Sequence, residues 1–217
     1  VTLTFAVGDI HGCVRQLDEL LDVIETTWSS GRVVFLGDYV DRGPDSASVV
    51  DRLISGPSRS GWEWITLKGN HEAMMVAALR HGVRHSIWLE NGGLETLESY
   101  RGPVSSAVLD WMEQRPAILC DTHRIFVHAG VDESVPLDAQ DKQTLLWSRP
   151  SVDPDQGYWG RHLCHGHTPR DENPTTTGNR TNIDSGCVFG GHLTAAVFDD
   201  DLPGPPVRFV KIANAGR

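Results

Sequence analysis

Apolar residues along this chain fall in short runs that stop abruptly. The runs are TLTFAV (2–7), RVVFL (32–36), WEWITL (62–67), RIFV (124–127) and RHLC (161–164). Each has the length of a strand and is bounded by turn residues. Each also ends in a small polar cluster rich in glycine. The five clusters are Gly8-Asp9-Ile10-His11-Gly12, Gly37-Asp38-Tyr39-Val40-Asp41-Arg42-Gly43, Lys68-Gly69-Asn70-His71-Glu72, His128-Ala129-Gly130 and His165-Gly166-His167-Thr168. Between the early runs the spacing changes to that of a helix. Val14, Leu17, Leu20, Leu21 and Ile24 share one helical face, and helices are also expected over 46–54, 72–79, 94–100 and 104–113.

Strand alternating with helix over the first eighty residues predicts βαβ units and an α/β fold. From about Ala117 the pattern predicts mainly strands and loops, closing on TAAVFDD and PVRFVKI. The segments 148–160 and 169–180, rich in proline, glycine and polar residues, read as loops. No repeat or long linker divides the chain, which predicts a single domain over 1–217, with a small helical cap over 81–115. In open α/β sheets ligands bind beyond the carboxyl ends of the strands. All five polar clusters stand at such ends, so they can converge although they lie far apart in sequence.

Composition narrows the chemistry. The chain has 217 residues, 19 basic against 29 acidic, a net charge of −10, and 10 histidines. That balance argues against binding of bulk nucleic acid or of an anionic membrane surface. No apolar run is long enough to span a bilayer. The N-terminal stretch reads as a strand rather than a signal peptide, which predicts a cytoplasmic location. Cys13, Cys120, Cys164 and Cys187 form no C-x-x-C pair and are expected to be free thiols rather than a zinc ribbon. Neither a P-loop nor a dinucleotide-binding glycine motif is present.

What remains is an excess of histidine and aspartate at strand ends. Carboxylate and amide oxygens mixed with imidazole suit Mn, Fe, Zn or similar divalent ions. Asp9, His11, Asp38, Asn70, His128 and His167 are too many for one such ion. Two ions about 3.5–4 Å apart, sharing a carboxylate, accommodate them and clamp an in-line displacement.

GDIHG (8–12), GDYVDRG (37–43), GNHE (69–72), HAG (128–130) and GHT (166–168) together resemble the ordered signature of the phosphoprotein phosphatase (PPP) family of metallophosphoesterases. With NIDSGCVFGG (182–191) the resemblance covers most of the chain. It implies a central β-sandwich of two mixed sheets flanked by helices. It implies that Asp9 and His11 bind a first metal, that Asp38 bridges, and that Asn70, His128 and His167 bind a second. His165 competes with His167 and is read as a strand residue facing away. The resemblance further implies His71 as general acid, Asp41 as the carboxylate that orients it and keeps it protonated, and Arg42 and Arg149 as grips on phosphate. Two divalent cations are implied, manganese first, with Fe, Zn, Ni or Co as alternatives, and hydroxide held between them attacks phosphorus directly. Glu72 is expected to support the site through its helix.

Within the family, IWLENGG (87–93), LLWSRP (145–150) and the short length resemble compact bacterial and phage serine/threonine protein phosphatases. The implied substrate is a phosphorylated protein or a small phosphoester. The alternative is a symmetrical bis(5'-nucleosyl)-tetraphosphatase, set second because those enzymes are usually longer. Trp62, Trp64, Trp88, Trp111, Trp147 and Trp159 read as core or cap packing, with Trp159 and Tyr158 as the candidates for contact with substrate. Asn91 is a further candidate for substrate contact.

Overall fold

A computed structural model describes residues 2–149 and 157–214. Most of the expected loop at 148–160, and Pro150 of the LLWSRP segment, lie outside the described residues. So do the extreme ends of the chain.

Two five-stranded mixed sheets face each other. In the first, β1 (Leu3–Val7) lies between β2 (Gly31–Phe35) and β9 (His192–Asp199). The edges of this sheet are β3 (Trp62–Thr66) and β10 (Arg208–Ala213). β1, β2 and β3 run parallel, while β9 is antiparallel to both β1 and β10. The second sheet has the order β4 (Ile118–Cys120), β5 (Arg124–Val127), β6 (His162–His165), β8 (Arg180–Asn182), β7 (Thr175–Thr177). Its three central strands are parallel and its edge strands antiparallel.

The period of two in each strand explains the sandwich. Ala6 and Val34 meet Phe126 and Cys164 between the sheets, where Phe126 and Phe198 stack edge to face at 5.6 Å. The alternate residues Phe5, Val7, Val33 and Phe35 point the other way and pack under helices. Both faces are covered, which is why the strands read as continuous apolar runs.

Helix α1 (Val14–Thr27) buries Leu17, Leu20, Leu21 and Ile24, the face expected from their spacing. α2 (Ser46–Ser55) starts at Asp45, whose side chain accepts from the Ser48 N–H. α3 (Asn70–His81) begins two residues earlier than the expected helix, so that Asn70 and His71 form its first turn. Over 81–115, α4 (His85–Trp88), a π turn at Leu89–Gly93 and α5 (Leu94–Tyr100) follow one another, and then α6 (Ser106–Glu113).

The second half departs from the expectation in two places. A helix, α7 (Lys142–Trp147), stands where mainly strands and loops were expected; Asp141 caps it by accepting from Thr144 N–H. The 169–180 stretch is not all loop, because β7 and β8 form a hairpin there. Its polar threonines are half-exposed or exposed on an edge strand, so no apolar pattern marked it. The four cysteines are free, with Cys13, Cys164 and Cys187 buried and Cys120 exposed.

Candidate metal centre

The carboxyl ends of β1, β2, β3, β5 and β6 meet over one rim. Five residues there adopt left-handed backbone: His11 (φ 45°), Asp38 (φ 54°), Asp41 (φ 74°), Arg42 (φ 70°) and His167 (φ 65°). Such conformations cost roughly 1–3 kcal/mol each for residues with a side chain, so the surroundings must enforce them. Glu72 does much of this. Fully buried on the first turn of α3, its carboxylate accepts from the backbone N–H of Asp38 (2.9 Å), Tyr39 (2.8 Å) and Gly69 (2.9 Å). The Asp38 carbonyl in turn accepts from Ile10 and His11 N–H at 3.0 and 2.9 Å, which ties the first loop to the second. Gly69 is required because a Cβ there would overlap the Asp38 carboxylate.

Glu72→Gln replaces an acceptor-only carboxylate with an amide whose NH2 must face backbone donors. We expect a loss of about 3 kcal/mol in unfolding free energy, measured by urea denaturation. A loss below about 1 kcal/mol would show that the loop holds itself.

On this frame the candidate ligands converge. His11, Asp38 and His71 place ligand atoms within 4.8 Å of one another, and so do Asp38, His128 and His167. Asp38 belongs to both groups. Asn70 joins the second: its Oδ1 lies 2.8 Å from His128 Nε2 and 3.0 Å from His167 Nδ1. Asp9 lines the same cavity, its carboxylate accepting from the His167 N–H at 3.1 Å. The first group is thus completed by His71, and Asp9 lines the cavity outside both groups. His165 stays apart: its Nδ1–H donates to the Gly166 carbonyl, and it does not line this cavity.

The electrostatics suit cations. His11 donates from Nδ1 to Val40 O at 2.7 Å, which fixes the tautomer and leaves Nε2 as a lone pair facing the cavity. The guanidinium of Arg42 donates to that lone pair at 2.8 Å, a positive charge already seated against a ligand atom. Burial lowers His11 to about 3 and His167 to about 4, keeping both in the neutral form that binds metal. Burial also disfavours charge on Asp38, but the imidazoles of His128, His71 and His11 outweigh it and hold the carboxyl well below its usual range. Asp9 goes the other way, pushed up by burial and by the Asp184 carboxylate. His128, lowered by burial alone, is raised to about 9 by Asp38 at 3.3 Å. Crowded carboxylates, and the pull of Asp38 on His128, mark a place that favours added positive charge, so the residues present fit divalent metal.

His71 Nδ1 lies 2.6 Å from Asp41 Oδ2, both fully buried. The two side chains expected to pair are therefore in contact. Their protonation differs from the expectation: burial lowers His71 to about 4 and raises Asp41 to about 7. Desolvation of the imidazolium outweighs the attraction of the Asp38 carboxylate. Asp41 is clamped by groups that the sequence did not reveal. Trp88 Nε1 donates to both its oxygens at 3.0 Å, and Thr96 Oγ1 donates to Oδ1 at 2.7 Å. Trp88 is thus more than cap packing; it ties the helical segment to the site.

Around the metal-ligand candidates the cavity measures about 270 Å³, and Arg42, Arg149, Asn91, Trp147 and Phe189 line it. Asn91 donates to Ile87 O at 2.8 Å within the π turn. The aromatic side chains at the mouth are Trp147 and Phe189, in place of the expected Tyr158 and Trp159. Tyr158 is buried under the second sheet, where Leu145 and Leu163 hold it. Trp159 does not line the cavity. Asp184, which the sequence reading passed over within NIDSG, is buried beside Asp9.

Fold and site together define a metallophosphoesterase. The profile of the calcineurin-like phosphoesterase family matches residues 3–196, and the chain belongs to that family. Among curated relatives, it is 30% identical to the asymmetrical bis(5'-nucleosyl)-tetraphosphatase PrpE of Anoxybacillus flavithermus, over 87% of each chain. It is 31% identical to serine/threonine-protein phosphatase 1 of Salmonella typhimurium, over 88% of this chain and 90% of that one. A solved structure provisionally assigned as a diadenosine tetraphosphatase superposes with a TM-score of 0.69 at 23% identity, covering 98% of this chain and 93% of the other. Among the described residues no helix is long and apolar enough to cross a membrane.

Proposed function

We propose that the chain hydrolyses a dinucleoside tetraphosphate, cleaving it asymmetrically to a nucleoside triphosphate and a monophosphate. The reaction class rests on Asp38, one buried carboxylate shared by two clusters of ligand atoms. Choice of substrate is supported by the PrpE relative, which the chain matches over 87% of both lengths. Length had ranked the symmetrical enzymes second; PrpE is an asymmetrical enzyme of similar length, so that objection does not apply to it.

Asp9, His11 and Asp38 would hold one divalent cation, and Asp38, Asn70, His128 and His167 the other. When bound, such ions supply Lewis acidity and an activated water. The chain's own residues do the rest. Arg42 and Arg149, which both line the cavity, would grip non-bridging phosphoryl oxygens. His71 lies 3.9 Å from Asp38 and faces the same cavity, so its Nε2 can reach the departing oxygen. The substrate's negative charge would favour the imidazolium that burial disfavours, and Asp41 holds the ring for proton transfer.

Phosphoprotein hydrolysis is the second reading, and the Salmonella phosphatase relative favours it. Steady-state turnover by metal-reconstituted protein separates the two. Diadenosine tetraphosphate should give a kcat/KM at least tenfold above a phosphoserine peptide, with ATP and AMP as products. A better phosphopeptide substrate would reverse the order of the two readings, and ADP alone would mean symmetrical cleavage.

A further inference from the structure

A second cavity, about 360 Å³, opens directly beside the metal centre, and the two share Arg42 and Phe189 as common wall. Its volume falls in the range of small-molecule sites, roughly 300–1,000 Å³. Phe189 is 64% exposed, the most exposed large apolar side chain among the described residues. It stands at the end of a short 3₁₀ turn, with the Arg42 guanidinium 5.8 Å from its ring centre. The opposite wall is the start of α1, with Arg15 and Gln16, and Asn214 closes the floor.

The amides here are oriented by one another. Asn214 Nδ2 donates to Cys187 O at 2.8 Å, so its Oδ1 is turned toward Gln16, whose Nε2 donates to it at 3.0 Å. That arrangement leaves Gln16 with an acceptor, Oε1, and one further amide N–H to offer a ligand. An acceptor and donor in that order match the amino group and ring nitrogen of adenine, the pairing by which glutamine reads adenine elsewhere. An exposed aromatic face offers stacking to any base. A cation shared with the metal centre places the attached phosphate.

We propose that this cavity is a purine nucleoside subsite, with the base stacked on Phe189, its edge read by Gln16, and its phosphate carried by Arg42 to the metal centre. The inference rests on the dinucleotide reading above and deepens it. A base held next to the attacked phosphate is the nucleoside that leaves as the monophosphate.

The test uses metal-reconstituted protein turning over p-nitrophenyl phosphate, inhibited in turn by AMP, IMP, ribose 5-phosphate and inorganic phosphate. AMP should inhibit roughly tenfold more tightly than ribose 5-phosphate, the scale of one stacked base. Phe189→Ala should abolish that difference and Phe189→Tyr should keep it. Gln16→Ala should bring AMP and IMP within about threefold of each other, from about tenfold in the unaltered protein. Equal inhibition by AMP and ribose 5-phosphate in the unaltered protein would overturn the proposal. So would a difference that survives Phe189→Ala. If the phosphopeptide is the better substrate yet AMP inhibition depends on Phe189, the substrate reading falls and the subsite stands. If diadenosine tetraphosphate is preferred but AMP gains nothing over ribose 5-phosphate, the reading stands and the subsite falls.

Discussion

Replacing Asp38 with Asn is expected to lower bound divalent metal from two ions per chain to at most one, and kcat/KM by roughly 10³-fold, about 4 kcal/mol of transition-state stabilisation. Asn keeps the shape, so the backbone can keep its contacts: Asp38 N–H to Glu72 at 2.9 Å, and its carbonyl accepting from Ile10 and His11. What is lost is charge. Asp38 Oδ1 faces His128 at 3.3 Å and Oδ2 faces His11 at 3.6 Å, so one carboxylate serves both sides of the cavity. An amide offers a single oxygen and turns two hydrogens toward a cation. Metal content by plasma emission, with circular dichroism confirming the fold, reads the result. Two ions retained per folded chain would remove Asp38 as the bridge.

His71→Asn should separate substrates by leaving group. An alkoxide departing from phosphoserine needs a proton, and loss of a positioned acid costs about 10²–10⁴-fold in such steps. Nitrophenolate, or the nucleotide phosphate leaving a phosphoanhydride, is a far weaker base and needs little help. We therefore expect kcat for the phosphoserine peptide to fall by at least 10²-fold and that for p-nitrophenyl phosphate by less than tenfold. Hydrolysis of diadenosine tetraphosphate should follow the smaller loss. His71 also sits among the ligand atoms of the first group, within 4.8 Å of His11 and Asp38. A metal count on the same variant keeps the two roles apart. Equal losses for all three substrates, with one ion missing, would make His71 a ligand rather than an acid.

Much of this site was legible in the sequence because of how the sheets are buried. Strands covered on both faces must be apolar throughout, so their ends are conspicuous where Asp, His and Asn begin. Parallel strands then bring those ends to one rim whatever their separation in sequence, as with Asp9 and His167, which meet across 158 positions. His167 joins the grouped ligand atoms and His165 does not. Period two puts His165 on the outer face of β6 with Leu163, while His167 lies past the strand end, at the rim.

Other features carried no such signal. The clamp on Asp41 depends on Trp88 and Thr96, whose roles require a helical segment to fold back over the site. Indole and hydroxyl groups at helix positions look the same whether they pack or donate. Spacing shows which groups meet but not how dry their surroundings are, and burial acts on both members of the His71–Asp41 pair. Trp147 was likewise read as packing; α7, the short helix that presents it, has only six residues and a weak periodic pattern.

The central claim is that hydrolysis needs two cations held around Asp38. The most direct test titrates metal-free protein with Mn²⁺ while counting bound ions and following diadenosine tetraphosphate turnover in the same samples. Binding should saturate at two ions per chain, with activity appearing only as the second site fills. Full activity at one ion per chain, or two bound ions with no turnover, would contradict it.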